Sequence, residues 1–405
     1  MLLSRKTALR AAALLLLCAL LSVSTASAKT VAEWLEGYRT GKDWFGDETD
    51  YDITNEAACW ELLMKPITVL DKPENESVYP LDAPGGSRVN NDYLGGFING
   101  ASAAVHVLGE DEGGWTLIEG LDYYNRIIRG YVRTRLLKQI TPNEHYGVIV
   151  DKLTQRLYVF IDGKLFSSCA VSTGLPNDEQ PFNETASGEY VLISWSGGFD
   201  SEGMWCAMAI RFNNGDKIHE VPCMVLGDGT KRYTPYEAKL GQKASHGCIR
   251  VARKPNAEGL CQEWIWNNLK RMTKVVIWDD AGRVLPYPDD ATPLYYNPAG
   301  GQYYHAEANC SGVKAKYLPL TEFTYGELDD SPYSALEPCP FCVPVRRKAV
   351  IDKGNLDRGG ISQEVYDALA ELHPQEAADE AADDGEHDAG GAIAGDAQVQ
   401  ILPAD

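Results

Sequence analysis

The stretch Ala244-Ser245-His246-Gly247-Cys248-Ile249-Arg250-Val251 carries the densest chemistry in the 405-residue chain. If it is extended, side chains two apart share a face, and His246, Cys248 and Arg250 line up together. A thiol attacks as thiolate, and neighbouring imidazolium and guanidinium charge lowers its pKa, so Cys248 is a candidate nucleophile. Gly247 has no Cβ, which lets the backbone approach a substrate and take unusual dihedrals. The N–H groups around Gly247 and Cys248 are then candidate donors to a tetrahedral oxyanion. An isolated His-x-Cys would read as a buried structural thiol. Cys223, four positions after His219, is a second cysteine near a histidine, and it lacks the flanking glycine.

Outward from this stretch, residues 146 to 278 are predominantly β in pattern. Apolar, β-branched or aromatic runs at Tyr146–Asp151, Leu157–Ile161, Phe166–Ser172, Gly188–Ser194, Trp205–Phe212 and Val275–Trp278 predict strands. One helix is expected between Asn256 and Lys270. Many strands with one late helix predict a mainly β domain, a sandwich or closed sheet. Upstream, short strands are expected at Ala103–Val107, Trp115–Ile118 and Ile127–Val132, separated by Gly-rich turns.

The octet resembles the signature of the L,D-transpeptidase (YkuD-type) catalytic domain, Ser/Thr-His-Gly-Cys followed by an apolar residue and Arg or Asn. Supporting matches occur in the family's order. Val148–Lys164 resembles its opening hairpin, Ala170–Gly174 its Ser-Thr-Gly turn, and Thr185–Tyr190 its Thr-Pro-x-Gly-x-aromatic segment, with Ala186 where proline is usual. One departure is the upstream histidine. Here Ile218-His219-Glu220-Val221-Pro222 stands in its place with 25 residues between His219 and Ser245, and Asp228–Ala238 reads as a loop insertion between them.

The resemblance implies acyl transfer on peptidoglycan stem peptides through a Cys248 thioester. It implies His219 as general base and His246 as an orienting or stabilising group, with the two roles exchangeable, and Gly247 in the oxyanion turn. Ser245 and Arg250 would face substrate; Arg250 would hold a substrate carboxylate or pair with an acidic side chain. No cofactor is implied for catalysis. An amine acceptor gives a cross-link, and water gives an L,D-carboxypeptidase with the same residues. An inactive wall-binding scaffold is the reading from another class, supported by Ala186 and the stretched His219 spacing.

Residues 65–140, ending Gly130-Tyr131-Val132-Arg133, resemble bacterial Src-homology-3-like domains, which implies a small β-barrel that contacts peptidoglycan or merely packs. Residues 1–28 combine Arg5, Lys6 and Arg10, the apolar run Ala11–Val23 and Ala26-Ser27-Ala28, the three parts of a secretory signal. The expected location is therefore exported, extracytoplasmic and wall-associated, with no transmembrane anchor after cleavage. A formal charge of −21 argues against a nucleic-acid partner. Eight acidic residues without Lys or Arg between Glu371 and Asp388 mark a polar tail, preceded by a short helix at Ser362–Leu372.

Nine cysteines follow the signal, an odd count that leaves at least one thiol unpaired if disulfides form. Between Tyr295 and Cys342, His305, Cys310, Cys339 and Cys342 supply one imidazole and three thiols, with a Cys-x-x-Cys half-site for structural zinc; a disulfide pair plus a spare thiol competes. This tract resembles small Tyr-His…Cys…Pro-Cys-x-x-Cys modules of secreted bacterial proteins. The expected organisation is thus mainly β: a signal (1–28), a helical segment (29–64), the small barrel (65–140), the catalytic domain (145–280), a Cys/His module (290–357) and an acidic tail (358–405).

Overall fold

The computed structural model describes residues 51–373, except 74–75, 91–95, 101, 112 and 178–179. The signal segment, the helical expectation before residue 51 and the acidic tail after residue 373 lie outside the described residues.

Helix α1 (Glu56–Met64) starts where the Asn55 side chain accepts from the Ala58 N–H. It buries Cys59 and Leu63 against Ile149, Phe160, Val276 and Trp278 of the later β domain. Gly147 makes room there, because a Cβ would stand 2.6 Å from Leu63 Cδ1 and displace that side chain. The strands that follow are β1 (Ile67–Leu70), β2 (His106–Asp111), β3 (Trp115–Leu121), β4 (Ile127–Arg133) and β5 (Leu137–Ile140). Two of the three expected strands are β3 and β4, while the first begins later, at His106. Among the described residues they form separate sheets, β1 with β5 and β2-β3-β4, beside a two-residue pair at Ser77–Val78 and Ile98–Asn99. Among the described residues no single closed sheet joins these strands. Leu70, Val78, Ile98, Val105, Ile118, Ile128 and Val132 nonetheless share one apolar core.

The central domain contains β6 (Tyr146–Asp151), β7 (Arg156–Ile161), β8 (Lys164–Ser172), β9 (Gly188–Val191), β10 (Ser194–Ser201), β11 (Met204–Asn213), β12 (Asp216–Glu220), β13 (Cys223–Val225), β14 (Lys231–Arg232), β15 (Ile249–Val251) and β16 (Lys274–Trp278). Their order is β9-β16-β6-β7-β8-β15-β12-β11-β13-β14, with β10 also on β11. Only β16–β6 and β12–β15 are parallel pairs. Strand β8 joins the halves: it pairs with β7 along its length and, through Val171 and Ser172, with β15. Val148, Val150, Leu157 and Val159 from one half thereby meet Ile210, Phe212, Ile218 and Ile249 from the other. This is the expected mainly β sandwich.

Its late helix, α2 (Gln262–Asn268), adds Ile265 to that core. It begins later than expected because Asn256 folds its side chain onto the Leu260 N–H and Gly259 takes φ +88°. The Asp228–Ala238 segment is more than a loop. It holds β14 and a helical turn at Thr234–Glu237, and Glu237 is buried against Arg253.

The C-terminal module has a four-stranded sheet of β17 (Pro293–Tyr296), β18 (Tyr303–His305), β19 (Thr321–Thr324) and β20 (Glu337–Pro338), ordered β19-β17-β18-β20. Two helices close the described chain, α3 (Lys348–Asp357), which the sequence pattern did not signal, and α4 (Gln363–Leu372), expected at Ser362–Leu372 and capped by the Ser362 hydroxyl. No helix of the described residues is long and apolar enough to cross a membrane.

Candidate active site

Parallel pairing of β12 and β15 sets Ile218 opposite Ile249, His219 opposite Arg250 and Glu220 opposite Val251. The same register brings Cys248, at the entrance to β15, beside Lys217, whose backbone N–H favours the thiolate. The nucleophile turn and the upstream histidine thus sit on adjacent strands, joined laterally although 29 positions apart (248 − 219). Cys248 is half-buried and carries no disulfide.

His219 is 2% exposed, with the edge of its ring against Phe199 at 5.4 Å between centroids. Its Nδ1 lies 2.6 Å from the Glu220 carbonyl oxygen. A carbonyl only accepts, so Nδ1 carries the hydrogen and Nε2 keeps its lone pair. Burial drives His219 down to about 3, with Arg250 and Lys217 pushing the same way and the bond to the Glu220 carbonyl opposing. At neutral pH the ring is an unprotonated base.

Burial also pushes the Cys248 thiol up to about 12; the Asp216 carboxylate adds to this, and the Lys217 N–H opposes it. The expectation of a thiol lowered by imidazolium and guanidinium neighbours is therefore reversed. The resting pair is a neutral thiol and a neutral imidazole, since enclosure disfavours both charged forms. Asp216 is itself raised, to about 7, by burial against the opposing charges of Lys217 and Arg211. A Cβ on Gly247 would lie 2.5 Å from Asp216 Oδ1, and Gly247 has φ +115°, so this glycine is needed on both counts.

That left-handed residue breaks the expected alternation. Strand β15 begins only at Ile249, and Ser245 to Cys248 form a turn. His246 consequently faces outward, its side chain 42% exposed and its Nδ1 3.7 Å from Glu202 Oε2, while Arg250 is buried and donates to the Ala244 carbonyl at 2.7 Å. The two do not line up on one face. Ser245, expected to face substrate, is 1% exposed; its hydroxyl donates to the Cys248 carbonyl and accepts from the Gly247 N–H at 3.3 Å. Ser245 therefore shapes the turn, and the Gly247 N–H expected for an oxyanion is already engaged.

Sequence reasoning missed the residue that ties the motifs together. Thr185 is fully buried; its hydroxyl accepts from the Gly174 N–H at 2.8 Å and donates to the Gly247 carbonyl at 2.7 Å. Three separated segments, 170–174, 185–190 and 244–251, meet on one oxygen. The signal lay in Thr185 opening its own motif. Asp216, Lys217 and Phe199 were also missed; strand pairing brings in the first two, and Phe199 enters through its ring contact with His219.

Beneath Thr185 lies an ion network. Lys152 Nζ is 2.6 Å from Glu184 and 2.8 Å from Asp279, and it donates to the Thr185 carbonyl at 3.0 Å. Lys243 adds contacts to Glu184 at 3.2 Å and Asp280 at 2.9 Å. Burial alone would depress the Lys152 ammonium, but Asp279, Glu184 and Asp280 outweigh it and raise the pKa. Glu184, Asp279 and Asp280 could gather a metal by proximity, yet these two lysines already answer their charge. In the C-terminal module, the structure brings together the ligand atoms of His305, Cys310, Cys339 and Cys342, all within 4.8 Å of one another.

Residues 145–277 match the YkuD family model, the L,D-transpeptidase catalytic domain. No curated protein matches the chain. Among solved structures, an L,D-transpeptidase (Yku) from Stackebrandtia nassauensis is similar at 22% identity and a TM-score of 0.25, over 34% of this chain and 56% of that one. An L,D-transpeptidase from Mycobacterium smegmatis is 12% identical with a TM-score of 0.25, over 43% and 81%. One from Mycobacterium tuberculosis H37Rv is 16% identical with a TM-score of 0.26, over 57% and 88%. The chain thus spans just over half the length of the first of these.

Proposed function

We propose, from the premise that residues 145–277 are an L,D-transpeptidase catalytic domain, that this protein performs acyl transfer on peptidoglycan stem peptides with Cys248 as nucleophile and His219 as general base. The observation that carries this reading is the tautomer of His219. Its Nδ1–H is held by the Glu220 carbonyl, which leaves Nε2 free to accept a proton on the strand beside the nucleophile turn.

As Cys248 Sγ bonds to the carbonyl carbon of an L-residue followed by a D-residue, its proton passes to His219 Nε2. The tetrahedral adduct collapses with cleavage of the C–N bond, and the departing amine takes that proton. This leaves a Cys248 thioester and a neutral imidazole. A side-chain amine from a second stem then attacks the thioester, loses a proton through His219 and restores the thiol as the new amide forms. Water in place of the amine gives a trimmed stem. Arg250, close to the sulfur and buried, supports the reading by favouring charge that develops during attack. His246, exposed beside Glu202, suits a role at the entrance, orienting substrate. The signal-like residues 1–28 accord with an extracytoplasmic, wall-associated place of action.

The test is to incubate the full chain with purified muropeptides and analyse the products by mass spectrometry, beside Cys248→Ala and His219→Gln. Cross-linked dimer or exchanged terminal D-residue that disappears with Cys248→Ala supports transpeptidation. Trimmed monomer alone makes the enzyme a carboxypeptidase, and no product from folded protein favours a wall-binding scaffold.

A further inference from the structure

We infer that the C-terminal module is a structural zinc site, with His305, Cys310, Cys339 and Cys342 as its four ligands. A tetrahedral zinc with Zn–S near 2.3 Å and Zn–N near 2.05 Å has S···S edges of about 3.8 Å and S···N edges of about 3.6 Å. The Cys310 and Cys339 sulfurs are 3.8 Å apart, and Cys342 Sγ is 3.6 Å from His305 Nδ1. All four ligand atoms fall within 4.8 Å of each other, as one ion at their centre requires. The described cysteines are all unbridged, these three included, and a disulfide would need its sulfurs near 2.05 Å.

The backbone is arranged for thiolates. Gly312 N–H points at Cys310 Sγ (3.3 Å), Phe341 N–H at Cys339 Sγ (3.4 Å) and Ala306 N–H at Cys342 Sγ (3.2 Å). Two of these donors lie two residues after the cysteine they serve, so each loop wraps its own sulfur. Such donors spread the charge of a site in which three thiolates outnumber the dication by one. Binding releases three thiol protons as the Zn–S bonds form, and the imidazole joins as a neutral ligand. His305, Cys310 and Cys339 are buried, and Cys342 lies at the rim.

The module has reason to need such a staple. Its own core is small, built on Leu294, Tyr304, Phe323, Tyr325 and Leu328. Its seam with the central domain contains a cleft of about 390 Å³, lined in part by Phe166, Lys254, Phe341 and Val343. What crosses the seam follows directly on the last ligand. Val343 packs with Ala170, Val221 and Leu240, and Arg346 donates to the Leu240 carbonyl at 2.9 Å. Leu240 opens the segment that leads to Cys248. The zinc would therefore fix the segment from Val343 to Arg346 that braces the approach to the nucleophile.

The experiment is elemental analysis of the purified full chain, with free-thiol counting under denaturant. The expected result is about one zinc per chain, retained by Cys248→Ala and reduced to background in Cys339→Ser. Because Cys339→Ser can fail to fold, cobalt(II) exchanged into the wild-type protein gives an independent readout: visible d–d bands of tetrahedral geometry with thiolate-to-cobalt charge transfer. Chelation should lower the Tm by several degrees. Zinc at background in folded protein, with two of the three thiols lost to a disulfide, overturns the inference; so does bound iron in place of zinc, or cobalt without thiolate bands.

Discussion

The Thr185 hydroxyl donates to the Gly247 carbonyl at 2.7 Å while accepting from the Gly174 N–H at 2.8 Å, so one buried oxygen holds the turn that presents Cys248. Thr185→Val keeps the shape and deletes both bonds, leaving a buried donor and a buried acceptor unpaired at about 1–3 kcal/mol each. The expected outcome is a lower denaturant midpoint together with a slower acylation of Cys248. Thr185→Ser should restore both. Equal stability of Thr185→Val and wild type would contradict this role.

Asp216 works against the thiol it adjoins. Its charge adds to the burial that raises Cys248, so Asp216→Asn should speed iodoacetamide alkylation of Cys248 at pH 8 by about three- to tenfold, the scale of up to one pKa unit. The same change has a signed effect on stability. The folded pKa of Asp216, about 7, lies above its unfolded value, so the folded state holds the proton more tightly. Its contribution is most favourable below about pH 4 and is lost as pH rises towards 7. The Tm of Asp216→Asn minus that of wild type should be near zero at pH 4 and turn positive by pH 8. A difference independent of pH would rule this out.

Lys152, its side chain 2% exposed, neutralises the buried carboxylates of Glu184 and Asp279. Lys152→Met strips that compensation from Glu184 and Asp279, and removing one side of a buried ion pair costs about 3–5 kcal/mol. Urea unfolding should show a loss of that order. A change under about 1 kcal/mol would mean that Lys243 alone suffices.

What the sequence disclosed divides along physical lines. The octet around Cys248, the candidate His219 and the strands at Tyr146–Asp151 and Val275–Trp278 were legible, because motif identity and apolar runs are local properties. The alignment of His246 with Arg250 failed at Gly247, where φ +115° ends the extended geometry on which the alternation rests. The expected sign of the Cys248 shift failed for a different reason: charge neighbours can be guessed from sequence, but burial cannot, and burial dominates. Asp216 and Lys217 come to Cys248 only through the β12–β15 pairing, which no local pattern encodes. His305, Cys310, Cys339 and Cys342 could be nominated by spacing, yet that their ligand atoms lie within 4.8 Å of one another is set by the folded chain.

The central claim is that Cys248 forms an acyl-enzyme with His219 as its base, and intact-mass measurement after exposure to a carbapenem tests it most directly. Ring opening of the β-lactam by the thiol adds the whole carbapenem mass without loss. The account predicts one adduct, mapped to Cys248, absent in Cys248→Ala and formed about 10²- to 10⁴-fold more slowly in His219→Gln. An adduct that persists in Cys248→Ala, or none at all in folded wild-type protein whose Cys248 is reduced, would contradict it.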